Sequence, residues 1–173
     1  MNKSAAFAAL AMLTAPVSAQ QQEQPAGQTP QVVSQFDDAT ITRLLRDVQA
    51  TWRTETNAQG EINYRASAEG EINFTLAPRA CSPQTGCLGL MMIAVYTGID
   101  TSNPAQLDAF LHDLNDRSAT AKVYRSSGGV VILQAYINSS YGISYANAQA
   151  QLLVFGQNIV AVSQALAEFE QGR

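Results

Sequence analysis

The segment 88–96 reads Leu-Gly-Leu-Met-Met-Ile-Ala-Val-Tyr, without a charge, and it starts directly after a cysteine pair, Cys81 and Cys87. An unbroken apolar run must be buried, but periodicity alone does not separate a core strand from a core helix. The length of the run, its position behind a short cysteine loop, and Gly98 beyond it favour a strand. The run therefore predicts a central strand buried on both faces, and the rest of the chain must supply the sheet and the cover around it.

The flanking segments do so. Asp37 and Asp38 are good N-caps for a helix whose apolar stripe is Ile41, Leu44, Leu45, Val48 and Trp52, with Arg43, Arg46, Asp47 and Gln49 opposite. An internal echo follows, Gly60-Glu61-Ile62-Asn63-Tyr64 and Gly70-Glu71-Ile72-Asn73-Phe74. Ile62, Tyr64 and Ala66 alternate with polar neighbours, as do Ile72, Phe74 and Leu76, which predicts a hairpin joined across 67–70. Pro78 and Pro83 are read as ending its second strand. Ser102 or Asn103 with Pro104 opens a second helix, with Leu107, Phe110, Leu111 and Leu114 as its stripe. Strands over 120–125 and 130–138 turn at Ser126-Ser127-Gly128-Gly129. A last helix over 144–169 faces the core with Tyr145, Ala148, Leu152, Ile159 and Leu166. The order α-β-β-β-α-β-β-α predicts an α+β domain: an antiparallel sheet of about five strands packed with three helices.

The N-terminus predicts export. Lys3 precedes an apolar run over 5–15 that is too short to span a bilayer; Pro16 breaks it, and Val17-Ser18-Ala19 supplies small residues for cleavage between Ala19 and Gln20. Residues 1–19 are read as a signal peptide, 20–35 as a flexible leader rich in Gln and Pro, and 36–173 as one domain. No cysteine follows the cleavage site, so no lipid anchor is expected, and the product is read as a soluble periplasmic or secreted protein. Losing Lys3 leaves the mature chain about five charges negative, which argues against nucleic acid or an anionic membrane surface as partner. In an exported protein Cys81 and Cys87 read as a disulfide, whose seven-residue ring contributes about 2.4 kcal/mol on the loop-entropy model. The alternatives are a metal site, which needs further ligands in a chain with one histidine, and a redox pair, which usually has tighter spacing. No metal and no cofactor are expected.

The hairpin, the paired cysteines ahead of an apolar strand, the segment Phe110-Leu111-His112-Asp113-Leu114-Asn115-Asp116-Arg117 leading to Ala119-Thr120-Ala121-Lys122-Val123-Tyr124, and the apolar last helix together resemble the YbjN family. The resemblance covers most of the chain from Phe36 onward. It implies a fold similar to the type III secretion chaperones and a non-enzymatic module described as a sensory transduction regulator. It brings no catalytic residues to carry over.

Three groups of residues invite a chemical reading. His112 has Asp108 and Asp116 four residues to either side, the spacing of an acid/base unit or weak metal site, but the trio points away from the Leu107 stripe and so toward solvent. An enzyme acting on cell-envelope material through these three is the alternative function. Glu61 and Glu71 fall near opposite ends of the hairpin, too far apart for a glycosidase pair. The last helix is more apolar than one core stripe requires: Leu153, Val154, Val160 and Ala161 are candidates for a surface that meets a protein partner or a second copy, or for a helix embedded more deeply in its own domain. The expected function is a regulatory or binding module, chaperone-like in fold, that presents an apolar surface to an unidentified protein partner, with a homodimer among the arrangements considered.

Overall fold

A computed structural model of the protein describes residues 31–70 and 72–172. The signal-peptide reading of 1–19, the Ala19–Gln20 cleavage, most of the leader and Glu71 lie outside the described residues. In chain order the elements are β1 (Val32–Val33), α1 (Asp38–Asp47), β2 (Thr51–Thr56), β3 (Ile62–Ala68), β4 (Ile72–Ser82), β5 (Gly86–Tyr96), α2 (Pro104–Arg117), β6 (Lys122–Arg125), β7 (Val131–Asn138), β8 (Ile143–Ser144) and α3 (Tyr145–Gln171). Six strands form an antiparallel sheet in the order β2-β3-β4-β5-β7-β6, while β1 and β8 make a separate two-stranded ladder. The α+β class with three helices stands, and the sheet has one strand more than expected.

That extra strand corrects the reading of the first helix. Asp37 caps α1 by accepting from the Thr40 N–H at 2.8 Å, and Ile41, Leu44 and Leu45 are buried as the stripe predicts. The helix then stops at Asp47. Gln49 adopts a left-handed φ of 56°, its N–H bonds to the Arg46 carbonyl, and the Ala50 N–H reaches back to Leu45. This paired closure is a Schellman ending, with buried Ala50 as its apolar contact. Trp52, placed on the helical stripe by its spacing, instead belongs to β2, where Thr-Trp-Arg-Thr has the composition of a strand.

The ladder β3–β4 runs from Tyr64↔Leu76 to Ala68↔Ile72, with Glu69 and Gly70 in the turn between the strands. Pro78 does not end its strand. β4 continues to Ser82 with Pro78 opposite Leu90 of β5, and the proline is tolerated because the ladder to β3 has already stopped at Leu76. At the far end of the β4–β5 hairpin Cys81 sits directly opposite Cys87, and the two are joined as a disulfide.

β5 is central, but it is not buried on both faces. Leu90, Met92 and Ala94 point into the core, whereas Val95 on the other face is 55% exposed. The alternation extends across the sheet: Tyr64, Ala66, Phe74, Leu76, Val123, Leu133 and Ile137 join the core with Leu44, Leu107, Leu111, Leu152 and Phe155 of the helices. The opposite face carries Arg53, Arg65, Thr75, Ile93 and Gln134, which follow one another in register from β2 to β7. One layer of helices therefore covers one face of one sheet.

The segment 31–35, read as part of the leader, is ordered. Val32 pairs with Ser144 and Val33 with Ile143, Val33 is buried, and the Phe36 N–H donates to the Cys87 carbonyl at 2.7 Å. Two adjacent valines within a polar stretch are enough to tie the entry of the domain to the start of α3.

Candidate functional site

α3 supplies the surface of interest. Ser144 caps it by accepting from the Asn147 N–H at 3.1 Å, and no charged residue interrupts it before Glu168. Helical periodicity turns Tyr145, Ala148, Leu152, Phe155, Ile159 and Leu166 into the core. What remains outside is apolar as well. Leu153 is 51% exposed, Val160 40% and Val154 37%, with Ala161 exposed beside them. By length and composition α3 is the one helix among the described residues apolar enough to cross a membrane, but its inward side completes the core described above. A single core stripe does not need this composition, so the reading of a helix embedded on all sides is not what its exposure shows.

Two open grooves run beside the helix. One, about 410 Å³, lies among Met92, Ala135, Ala150, Val154 and Phe155. The other, about 250 Å³, lies among Leu114, Ala121, Val123, Ala161 and Val162. Asn158 and Thr120 border both, and the Asn158 Nδ2 donates to the Thr120 hydroxyl at 2.9 Å, forming a polar bar between them. The sequence held no signal for these grooves, because they are made by the loop after α2 approaching α3 from far along the chain. A third groove, about 690 Å³, lies on the helix-free face of the sheet and is lined by Arg53, Arg65, Thr75, Ile93 and Val95.

The residues singled out for acid/base chemistry are not assembled. His112 Nε2 lies 3.8 Å from Asp116, and both side chains are largely exposed. Asp108 is turned toward Arg125, whose guanidinium donates to both carboxylate oxygens at 2.9 and 2.7 Å. That guanidinium holds the Asp108 carboxyl below its ordinary range. Glu61 is engaged by the Asn57 amide at 2.7 Å and by Arg79 at 3.4 Å in the turn that opens β3. Among the described residues no three His, Cys, Asp or Glu side chains gather as a metal site.

No curated protein matches this chain. A family model described as "Putative bacterial sensory transduction regulator" does, over residues 37–168, which spans α1 to the last turns of α3 and takes in the cysteine hairpin and the α3 grooves. A match over that much of the chain makes this protein a member of the YbjN family.

Proposed function

We propose that this regulator-family domain is an exported, non-enzymatic binding module that engages a protein partner through the outer side of α3. The observation that carries the reading is the exposure of Leu153, Val154 and Val160 on a helix that carries no charge before Glu168, beside grooves lined by Met92, Phe155 and Val162. Apolar surface left in water is costly unless something covers it part of the time. An apolar segment of a partner would bury these side chains, and the Asn158–Thr120 pair offers it a polar contact at the centre. The exposed His112 and the engagement of Asp108 by Arg125 support a binding role over catalysis.

The test is affinity capture from envelope extract with the wild-type chain and with Leu153→Glu and Ala161→Glu. A specific partner retained by the wild type and lost by both variants, with unchanged circular dichroism, supports the reading. Equal retention by all three chains removes it. Export is checked separately, by mass spectrometry of the mature N-terminus and of the thiol state of Cys81 and Cys87; an N-terminus at Gln20 with both thiols oxidised is the expected result.

A further inference from the structure

We propose that two copies of this protein associate edge to edge through β2, antiparallel, with Thr54 on the two-fold axis. The sheet has two edges, and they are finished differently. At β6 the Asn115 amide occupies both the N–H and the carbonyl of Val123, so the outward backbone groups of that residue are already taken from within the chain. At β2 no strand among the described residues pairs with the free side. β2 contains no Lys, no Pro and no bulge, and its two charged side chains, Arg53 and Glu55, are of opposite sign, so they do not repel a second copy placed in the right register.

The hydrogen-bond pattern fixes which groups are free. The Asn57 N–H donates to the Glu61 carbonyl at 2.9 Å, and the β2–β3 register continues from there. In an antiparallel ladder the bonded pairs alternate, so Glu55, Arg53 and Thr51 bond toward β3 while Thr56, Thr54 and Trp52 present their N–H and carbonyl groups outward. A symmetric antiparallel pairing uses all three outward residues only when Thr54 faces Thr54 of the partner subunit and Trp52 faces Thr56 of the partner subunit. That register brings Arg53 opposite Glu55 of the partner subunit, and Glu55 opposite Arg53 of the partner subunit. Both pairs fall at the close, non-hydrogen-bonded positions, where Cα atoms approach to about 4.5 Å and opposite charges attract most effectively.

The side chains agree with this register. Arg53 now bonds Glu55 of its own strand at 2.9 Å and is 68% exposed, so it can exchange that partner across the axis without desolvating a new charge. Arg65 remains 3.5 Å from Glu55 and holds it in place. On the other face Trp52, 37% exposed in the single chain, would cover Thr54 and Thr56 of the partner subunit. α3 packs on β5 and β7, away from β2, so this association leaves the proposed partner surface open and does not rest on it.

Charge reversal tests the register. The mature chain is followed by sedimentation equilibrium from about 1 to 100 µM, as wild type, Arg53→Glu, Glu55→Arg and an equimolar mixture of the two variants. The wild type dimerises; each variant alone, now placing like charges opposite each other twice, raises the dissociation constant about tenfold or more. The mixture recovers the wild-type affinity, because every cross-strand pair is again of opposite sign. A wild type that stays monomeric to about 100 µM overturns the proposal. A dimer indifferent to both reversals, or one that the mixture fails to restore, overturns it equally.

Discussion

The side-chain amide of Asn115 completes the backbone of Val123 across the α2–β6 junction: Nδ2 donates to the Val123 carbonyl, and Oδ1 accepts from its N–H, both at 2.8 Å. Val123 is buried, and on its other side it pairs with Leu133 of β7, so Asn115 acts as a one-residue substitute for a further strand. Ser118 adds a bond from its hydroxyl to the Ala121 carbonyl in the same junction.

Asn115→Ala is expected to cost about 2 kcal/mol, since it leaves a donor and an acceptor unpaired in a partly buried place. Asn115→Asp keeps the acceptor but sets a carboxylate against the Val123 carbonyl, and should cost no less. Urea unfolding checks the magnitude. Hydrogen exchange should show the Val123 amide losing protection in Asn115→Ala before the rest of β6 does.

Gln49 carries the second prediction. It closes α1 in the left-handed region, φ 56°, where a side chain is strained and glycine is not. Gln49→Gly should therefore stabilise the protein by up to about 1 kcal/mol, the reverse of the usual effect of adding a glycine. A higher urea midpoint with an unchanged slope is the expected reading; a lower midpoint would mean that the Gln49 side chain makes a contribution larger than the strain.

The same residue shows where the sequence was legible and where it was not. Ile41, Leu44 and Leu45 announce α1 because three side chains at helical spacing have one consistent explanation. Trp52 matched that spacing by chance, since a helical stripe and the start of an edge strand can share one apolar position. The stop signal was carried by a glutamine in a conformation that no residue preference marks. β5 was recognised as a strand from its apolar run, but Met91, Ile93 and Val95 gave no hint that their face would lie open. That face is uncovered because all three helices pack on the other side, a fact of topology and not of local composition. The exposed apolar positions of α3 were legible, because counting at 100° per residue left them outside the core arc. The grooves beside them depend on Thr120 meeting Asn158, a contact across 38 residues that no local pattern encodes.

Alkaline pH should unfold the protein through its tyrosines. Burial, and donation from Oη to Asp38 at 2.9 Å, push Tyr64 up to about 12; burial, and donation to Asp47 at 2.7 Å, do the same to Tyr145. Burial also raises Tyr96, whose hydroxyl donates to the Ile159 carbonyl at 3.0 Å. The unfolded chain releases these protons near pH 10, while the folded one holds them to about pH 12. The stability these groups contribute is thus complete below pH 10 and declines as pH rises from about 10 toward 12. Urea midpoints measured at pH 8, 10 and 11 should fall only over the upper interval, and Tyr64→Phe with Tyr145→Phe should flatten that fall. A wild-type midpoint that is level up to pH 11 would contradict the assignment.

Gly89 and Tyr136 test how the open face of the sheet is finished. Gly89 lies in the middle of β5, opposite Asn138, where a glycine ordinarily weakens a strand. Tyr136, two residues from Asn138 on β7, lays its phenol diagonally over it; a Cβ at Gly89 would collide with the hydroxyl end of that side chain, its oxygen and Cζ. Gly89 is buried although it faces the uncovered side, and Tyr136 itself is 44% exposed. The ring therefore stands in for the missing side chain. Gly89→Ala in the wild type must expel the ring and should cost about 1 kcal/mol, the order of a good cross-strand pair. In a Tyr136→Ala background nothing is expelled, and the gain in strand propensity from replacing glycine should make Gly89→Ala neutral or stabilising. The coupling in a double-mutant cycle, about 1 kcal/mol or more and of opposite sign to the single change, is the quantity to measure. Additive effects would mean that the ring leaves Gly89 without cost, and that the open face of the sheet is covered only loosely.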